Sequence, residues 1–262
     1  MKKIGIIGCG NMGGAILAGA RRKFSIVVSE TCHTRQKYLK KVYRVTAKSL
    51  KDLLKACDVV VLAVKPQNID DVLKQFEGLA LNRKLFISIA AGITTNYLEK
   101  RIGGKIHVVR AMPNLPAKIQ KGVTAICKGK NSSSNDLKVA SSIFNTVGKT
   151  IVVKENLIDS VTAVSGSGPG YIYLFIEEMI KAAKALGLSD KIATDLVIQS
   201  FDGSIELLRN STDSAQTLRK KVTSKGGTTQ AAIDVFLKKK IDVIFKQALK
   251  AAQRRSKELS RR

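Results

Sequence analysis

The sequence contains no tryptophan, and aromatic residues make up only 5% of its 262 positions. Histidine is also scarce, since only His33 and His107 occur. A histidine-centred metal site or catalytic triad is therefore not expected. A base-stacking platform for nucleic acid is equally poorly supplied. Acidic residues are few as well: 20 Asp and Glu stand against 46 Lys and Arg, which leaves a net charge of +26.

Long hydrophobic runs and paired cysteines are missing too. The N-terminal apolar stretch ends at Arg21–Arg22, well short of the roughly 20 apolar residues that a membrane span needs. A secretory signal cleaved after Ala20 is the alternative interpretation of this stretch. Its glycines make a poor apolar segment, however, and cleavage would remove the first predicted strand. We therefore expect a cytoplasmic protein with no membrane partner and with reduced, mostly structural thiols at four scattered positions: Cys9, Cys32, Cys57 and Cys127.

The excess of positive charge has two interpretations. Nucleic-acid binding is one, but the basic residues are spread along the whole chain, with clusters only at 238–240 and in the last residues. Solvated basic faces are the interpretation that this spread favours, and no dedicated nucleic-acid partner is expected. An anionic cofactor and an anionic substrate would also be attracted by the positive field.

The most informative segment begins almost at the first residue. An apolar run at Ile4–Ile7 leads into GCGNMG, and an alanine-rich helical pattern follows. A strand, a glycine-tight turn and a helix in this order direct backbone N–H groups and the helix dipole at one point, which suits a pyrophosphate. Gly8 permits the turn, Gly10 lets phosphates approach the backbone, and Gly13 lets helix and strand pack closely.

Further strands alternate with helical patterns through the first half of the chain. They are predicted at Phe24–Ser29, Asp58–Val64, Leu85–Ala90 and Ile106–Arg110, with a last strand–helix–strand portion at 121–153. This alternation predicts an α/β fold, a Rossmann-type doubly wound sheet that binds ligands at the carboxyl ends of its strands. From residue 155 onward the pattern is helical. We therefore predict a dinucleotide-binding domain over 1–155 and an all-α domain over 156–262 that completes its core with a partner chain as a homodimer.

The charged residues after the second strand bear on the cofactor. Glu30 lies about 20 residues past the fingerprint, where an acidic side chain commonly binds the ribose hydroxyls of NAD. His33, Arg35 and Lys37 follow and would suit the 2′-phosphate of NADP. The local positive charge favours NADP, and NAD stays open as the alternative.

Two turns in the helical half are rich in serine, threonine and glycine. Ala163–Tyr171 reads AVSGSGPGY, and Val222–Thr229 reads VTSKGGTT. Each is predicted to present hydroxyl and N–H groups at the N-terminus of a helix, where a carboxylate is favoured. Ordinary helix capping explains one such turn alone, but two of them beside a dinucleotide fold indicate a substrate site.

Six ordered motifs across nearly the full chain resemble those of the pyrroline-5-carboxylate reductase family. They are GCGNMG (Gly8–Gly13), AVKPQ (Ala63–Gln67), SIAAGI (Ser88–Ile93), RAMPN followed by PA (Arg110–Ala117), VSGSGP (Val164–Pro169) with Tyr171, and VTS followed by GGTT (Val222–Thr229). The resemblance implies an NAD(P)H-dependent oxidoreductase that reduces 1-pyrroline-5-carboxylate to L-proline, the last step of proline biosynthesis. It also implies a homodimer, and the family forms larger rings built from dimers.

The resemblance also implies site residues. Cofactor-binding positions would be Gly8, Cys9, Gly10, Asn11, Met12, Gly13, Ser29, Glu30, Ala63, Val64, Lys65, Pro66, Ala90, Ala91 and Gly92. The substrate carboxylate would lie at Ser224, Gly226, Gly227, Thr228 and Thr229. Among these, Ser224 and Thr229 would be the catalytic residues, with Thr229 near the ring nitrogen. The proton for that nitrogen would come from Thr229, from water, or from a substrate that binds already protonated.

Two other functions compete with this hypothesis. The first is another imine or β-hydroxyacid dehydrogenase of the same architecture, which would use a helical-domain lysine as acid, with Lys181 and Lys184 as candidates. The second is a basic nucleic-acid-binding or regulatory protein without turnover. One departure from the family pattern concerns the substrate turn, because Lys225 replaces the usual proline.

Overall fold

A seven-stranded sheet forms the centre of the first part of the chain in a computed structural model that describes residues 2–260. The strands are β1 (Lys3–Ile7), β2 (Ser25–Ser29), β3 (Val59–Leu62), β4 (Leu85–Ser88), β5 (His107–Met112), β6 (Gly122–Lys128) and β7 (Gly148–Val152). Their order across the sheet is β2-β1-β3-β4-β5-β6-β7. Neighbouring strands are parallel except for β5 and β6. The predicted α/β class and Rossmann-type sheet are confirmed.

The antiparallel pairing of β5 with β6 was not predicted. Only residues 113–121 separate these strands, and a short 3₁₀ turn at Leu115–Ile119 occupies most of that connection. A parallel crossover needs about a dozen residues or more, so the chain can only turn back on itself here. The helical crossover between β6 and β7 then restores the parallel direction.

Helices separate the strands and continue to the end of the described chain. Those of the first part are α1 (Asn11–Ala20), α2 (His33–Tyr38), α3 (Leu50–Ala56), α4 (Ile69–Lys74), α5 (Thr95–Ile102), α6 (Ser134–Phe144) and α7 (Ile158–Val161). Those that follow are α8 (Gly168–Ala185), α9 (Asp190–Asn210), α10 (Ala215–Lys221), α11 (Thr228–Lys238) and α12 (Ile241–Leu259). Within residues 2–260, no helix has both the length and the apolar character needed to cross a membrane.

The sheet is covered by hydrophobic side chains on both faces. Every residue of β3 is buried, as a parallel central strand requires. Val59 and Val61 belong to one hydrophobic cluster, whereas Val60 and Leu62 belong to another. Because successive side chains of a strand point to opposite faces, these clusters are the two layers that enclose the sheet.

Contacts between Cα atoms divide the chain into two compact units. The first runs to Pro169 and includes the chain again from Ala251, and the second is Gly170–Lys250. The first unit therefore contains the sheet, α7 and the last turns of α12. The domain boundary after residue 155 stays a prediction.

The second unit is entirely helical, and few of its side chains are buried. Among residues 170–250, only Ala193 and Val197 are buried. The rings of Phe175 and Phe245 stack with their centroids 5.5 Å apart. Ser189 caps α9 by accepting a hydrogen bond from the N–H of Ile192.

Candidate active site

The turn between β1 and α1 has the geometry expected of a dinucleotide fingerprint. Gly8 has a φ of 85°, a left-handed conformation that glycine adopts without strain. Its N–H donates to the carbonyl of Ser29 at 2.8 Å, which ties the ends of β1 and β2 together. A Cβ atom on Gly13 would lie 2.1 Å from the Gly8 carbonyl oxygen. No side chain fits at Gly13, so helix and strand approach as closely as the fingerprint requires.

The N-terminus of α1 is open for an anion. Gly10 is its N-cap, and no side chain among residues 2–260 caps it with a hydrogen bond. No other described atom lies within 4 Å of the position that a Cβ atom on Gly10 would take. Asn11, the first helical residue, is exposed. The first-turn N–H groups and the positive end of the helix dipole therefore face a space that a pyrophosphate can occupy.

Glu30 lies directly beside this turn. Its Oε2 accepts a hydrogen bond from the N–H of Cys9 at 2.8 Å, and its Oε1 accepts one from the N–H of Cys32 at 2.9 Å. Burial, followed by the charge of Glu30, raises the pKa of the Cys9 thiol to about 12, although Arg35 acts in the opposite direction. Cys9 therefore stays protonated and serves packing, while the Glu30 carboxylate is oriented at the end of β2 where a ribose is predicted.

The corner after β3 packs against the fingerprint turn. The N–H of Ala63 donates to the carbonyl of Ile7 at 2.9 Å, which extends the pairing of β1 and β3 by one residue. A Cβ atom on Gly8 would lie 2.9 Å from Cγ1 of Val64. Lys65 is exposed, and Pro66 begins a 3₁₀ turn after which the chain no longer follows the direction of β3.

The corner after β4 lies next to the corner after β3. The N–H of Ile89 donates to the carbonyl of Leu62 at 3.1 Å, and the N–H of Ala90 donates to Oγ of Ser88 at 3.3 Å. Gly92 has a φ of 77°. Because β1, β3 and β4 are adjacent parallel strands, the structure brings their three carboxyl-terminal corners to one edge of the sheet.

An ion pair between a buried arginine and a half-buried glutamate near this edge was missed by sequence reasoning. The side chain of Arg110, on β5, is 4% exposed, and its Nη1 lies 3.4 Å from Oε1 of Glu155. A charged residue inside an apolar strand is itself a signal, because burial of a charge requires a partner. That signal marks Arg110 but cannot identify Glu155, which lies 45 positions further on.

The predicted substrate turn belongs to the second unit. Gly226 has a φ of 71°, and the N–H of Gly227 donates to the carbonyl of Ser224 at 3.0 Å. Gly227 is the N-cap of α11, and in the described chain no side chain caps it with a hydrogen bond. Thr228 and Thr229 are the first two helical residues. A Cβ atom on Gly227 would lie 2.4 Å from Oγ of Ser224, so the hydroxyl lies directly over the glycine.

The second predicted turn, Ala163–Tyr171, is corrected by the structure. Residues Thr162–Gly166 form a π-helical turn that continues α7, and α8 begins at Gly168. The hydroxyl of Ser165 donates to the carbonyl of Val161 at 3.1 Å. Ser165 is therefore engaged within a helical segment, whereas Ser167 directly precedes the start of α8.

The lysine candidates of the competing dehydrogenase hypothesis are ordinary surface residues. Lys181 donates to Glu177 at 2.6 Å and to Glu178 at 2.8 Å, and these carboxylates raise its pKa. Lys184 donates to Asp190 at 2.6 Å. Lysines in exposed ion pairs of this kind are typical of a solvated helix face. Across residues 2–260, no group of three or more His, Cys, Asp or Glu side chains could hold a metal ion.

Comparisons with known proteins agree with this geometry. A family described as "Pyrroline-5-carboxylate reductase dimerisation" matches residues 155–259, and one described as "NADP oxidoreductase coenzyme F420-dependent" matches residues 3–92. A pyrroline-5-carboxylate reductase of Synechocystis is 40% identical over 267 residues, which cover 99% of each chain.

Solved structures give the same result. A pyrroline-5-carboxylate reductase of Coxiella burnetii superposes with a TM-score of 0.90 at 35% identity, covering 99% of this chain and 98% of that one. The pyrroline carboxylate reductase of Plasmodium falciparum, solved with NADP bound, gives a TM-score of 0.86 at 32% identity, with coverage of 99% and 98%. Identity at this level over whole chains, with the fingerprint turn intact, shows that the chain belongs to the pyrroline-5-carboxylate reductase family.

Proposed function

We propose that this chain reduces 1-pyrroline-5-carboxylate to L-proline with NADPH, the last step of proline biosynthesis. The observation that carries the proposal is the open N-terminus of α1, where Gly10 leaves space for a pyrophosphate, in a chain whose full-length relatives are reductases of this name. NADPH supplies the hydride when it is bound.

The first unit holds the cofactor in this proposal. Gly8, Gly10 and Gly13 shape the pyrophosphate cradle, and the N–H groups of Asn11 and Met12 face the phosphates. The corners at 63–66 and 90–92 line the sugar and nicotinamide side. NADP bound to the Plasmodium falciparum relative supports NADPH as the coenzyme. The oriented carboxylate of Glu30 leaves NADH as the alternative.

The turn at 224–229 binds the substrate carboxylate in this proposal. Backbone N–H groups at the start of α11 and the hydroxyl of Ser224 are neutral donors, which hold an anion without forming an ion pair. Thr229 is the second residue of α11 and is half-buried. We assign its hydroxyl to the ring nitrogen, which gains a proton as the imine carbon gains the hydride. Water or a substrate that binds already protonated are the other two sources of that proton.

Positioning is the main contribution of the protein to catalysis. The imine carbon accepts a hydride readily once it lies against the reduced nicotinamide, and correct placement of reactants lowers barriers by up to about 7–11 kcal/mol in favourable cases. The cradle and the substrate turn each present donors on a helix N-terminus, so both reactants are held by backbone groups that need little reorganisation.

We also propose that the protein acts as a homodimer in the cytoplasm, with no dedicated nucleic-acid partner. The match of residues 155–259 to a dimerisation family and the exposed apolar side chains of the second unit support the dimer. Larger rings built from dimers remain a further proposal. The four cysteines, three of them buried and none bonded to another, fit a reducing compartment.

Oxidation of NADPH and of NADH in the presence of 1-pyrroline-5-carboxylate tests the reaction and the coenzyme together. We expect oxidation of NADPH with stoichiometric formation of L-proline, detected by mass spectrometry. Omission of the imine is the control, since it reports oxidation that does not depend on the substrate. A purified, folded protein that forms no L-proline with either coenzyme would contradict the proposal.

A further inference from the structure

A short corner, residues 89–94, joins the end of β4 to the start of α5. Its middle, Ala90–Gly92, is the segment proposed above to line the nicotinamide side of the cofactor. Gly92 takes a left-handed conformation with a φ of 77°. Ala90 and Ile93 are buried, and the N–H of Ile93 donates to the carbonyl of Ala90 at 3.3 Å. Further contacts at the end and in the middle of the corner help to determine where it lies.

Glu155 holds the end of the corner that enters α5. Its Oε1 accepts a hydrogen bond from the N–H of Thr95 at 2.8 Å, and its Oε2 accepts one from the Thr95 hydroxyl at 2.6 Å. Both oxygens of one carboxylate thus bind a single residue 60 positions away in sequence. Thr95 is the first residue of α5, where a negative charge is stabilised by the helix dipole and by unpaired N–H groups.

The buried guanidinium of Arg110 fixes the orientation of Glu155 in turn. Arg110 lies on β5, which pairs with β4 through Ser88, just before the corner. The ion pair between Arg110 and Glu155 therefore connects β5, the neighbour of the strand before the corner, with the helix after it. Burial, followed by the charge of Glu155, raises the pKa of the nearby Cys127 thiol to about 12, although Arg110 acts in the opposite direction.

The C-terminal end of the described chain holds the middle of the same corner. A Cβ atom on Gly92 would lie 2.6 Å from the carbonyl oxygen of Leu259, at the end of α12. That end of α12 is bound to the segment that begins at Glu155, because Ser256 donates to Oδ1 of Asp159 at 2.7 Å. One short segment, 155–159, is thus connected to the corner at two points within the first unit.

We propose that Glu155 is a positioning residue for hydride transfer, which acts through Thr95 to fix the Ala90–Gly92 corner beside the nicotinamide. This inference rests on the proposed function. Glu155 itself is not assigned a contact with either reactant. Its loss should therefore affect the use of NADPH while leaving the binding of the imine carboxylate unchanged, because that carboxylate is assigned to the turn at 224–229.

Four variants test the inference. Thr95→Val removes the hydroxyl contact, Thr95→Ser retains it, and Glu155→Gln removes the charge while keeping the size of the side chain. Asp136→Asn is the matched control, since Asp136 also contacts the imidazole of His107 and takes part in a helix capping box, but lies at α6 away from the corner. Melting temperatures of all four establish that the variants are folded at the assay temperature.

We expect Thr95→Val and Glu155→Gln to lower kcat/KM for NADPH by about tenfold to a hundredfold, because displacement of a reactant by about 1 Å has effects of this size. KM for the imine should change less than about twofold, and the kinetic isotope effect with deuterated NADPH should rise. Thr95→Ser and Asp136→Asn should both behave like the wild type.

Unchanged NADPH kinetics in Thr95→Val and Glu155→Gln, beside an active wild type, would overturn the inference. Equal losses for both substrates, or the same loss in Asp136→Asn, would also overturn it, since they indicate general destabilisation. A wild-type protein that does not reduce the imine would overturn the proposed function itself, and the two failures are therefore distinguishable.

Discussion

The first unit, which is proposed to bind the cofactor, and the second, helical unit differ in how much of their apolar surface is buried within a single chain. In the first unit, two hydrophobic layers enclose the sheet, and the corners proposed to bind the cofactor are connected by backbone hydrogen bonds. In the second unit, large apolar side chains remain exposed along α8, α9, α11 and α12. An exposed apolar surface of this extent is typical of a protein interface. The proposed cofactor cradle is therefore formed within one chain, whereas the helical unit leaves a large apolar surface for a partner to cover.

Gly13→Ala should have the largest effect, because it disturbs the close contact between α1 and the fingerprint turn in the first unit. A Cβ atom 2.1 Å from the Gly8 carbonyl forces the backbone apart, and we expect destabilisation of about 3 kcal/mol or more together with loss of NADPH binding. Thermal melting and NADPH fluorescence titration measure the two effects. Normal binding of NADPH by Gly13→Ala would show that the turn is more adaptable than its geometry indicates.

Gly10→Ala separates binding from folding at the same turn. Its Cβ atom meets no other described atom within 4 Å, so the melting temperature should be unchanged. Binding of NADPH should weaken by about 1.5–3 kcal/mol, the usual range for hydrogen bonds to a charged group. Gly14→Ala, whose Cβ would make an ordinary 3.6 Å contact, is the control for adding a methyl group to α1.

Thr229→Ala and Ser224→Ala test the exposed turn of the second unit. If the Thr229 hydroxyl delivers the proton, its loss should lower kcat by about a hundredfold, the lower end of general acid catalysis. Ser224→Ala should mainly raise KM for the imine, by about tenfold, through the loss of a hydrogen bond to a charged group. Thr223→Ala is the control, since its hydroxyl donates to the carbonyl of Arg219 within α10. Unchanged steady-state kinetics in both test variants would remove these residues from the active site.

Phe236→Asp tests whether the exposed apolar side chains of the helical unit are buried in a dimer. Phe236 is 56% exposed in the single chain. If it lies in an interface core, the charge should weaken dimerisation by about 2 kcal/mol or more, roughly thirtyfold. Ile119→Asp is the matched control in the first unit, where Ile119 is 69% exposed. Sedimentation velocity measures both, and equal dimer stability in the two variants would argue against a helical-unit interface at this position.

Asp136→Asn should have the smallest effect. It tests the contacts of Asp136 with His107 and Ser133 in the first unit. Burial acts to raise the pKa of Asp136, but hydrogen bonds from His107 and Ser133 lower it overall from 3.8. A carboxyl pKa lowered by folding adds stability above its unfolded value, and that stability is lost as pH falls through the folded pKa. We expect a loss of about 1 kcal/mol at neutral pH, which vanishes in strong acid. Urea unfolding at several pH values measures it, and a pH-independent difference would contradict the assignment.

Local patterns were sufficient for the elements that depend on local chemistry. The β-branched runs predicted the strands at β2, β3 and β4, and the glycine spacing predicted the turn at Gly8–Gly13. Local patterns did not predict the features that depend on residues distant in sequence. They assigned 163–171 to a turn, because serine and glycine favour turns, although residues 162–166 continue α7 as a π-helical segment. Helix α10 and the reversal at β6 were also not predicted.

The amino-acid sequence by itself determined the nucleotide-binding fold, the family and the candidate residues, because strands, tight turns and helix starts are governed by neighbours a few positions apart. Tertiary structure alone decided which corners share one edge of the sheet and which carboxylate meets Arg110 and Thr95. Glu155 carries no local signal, since 45 and 60 residues separate it from its partners. Folding brings Glu155 next to Arg110 and Thr95. Because the charge of Arg110 is buried, it then requires a partner of opposite charge.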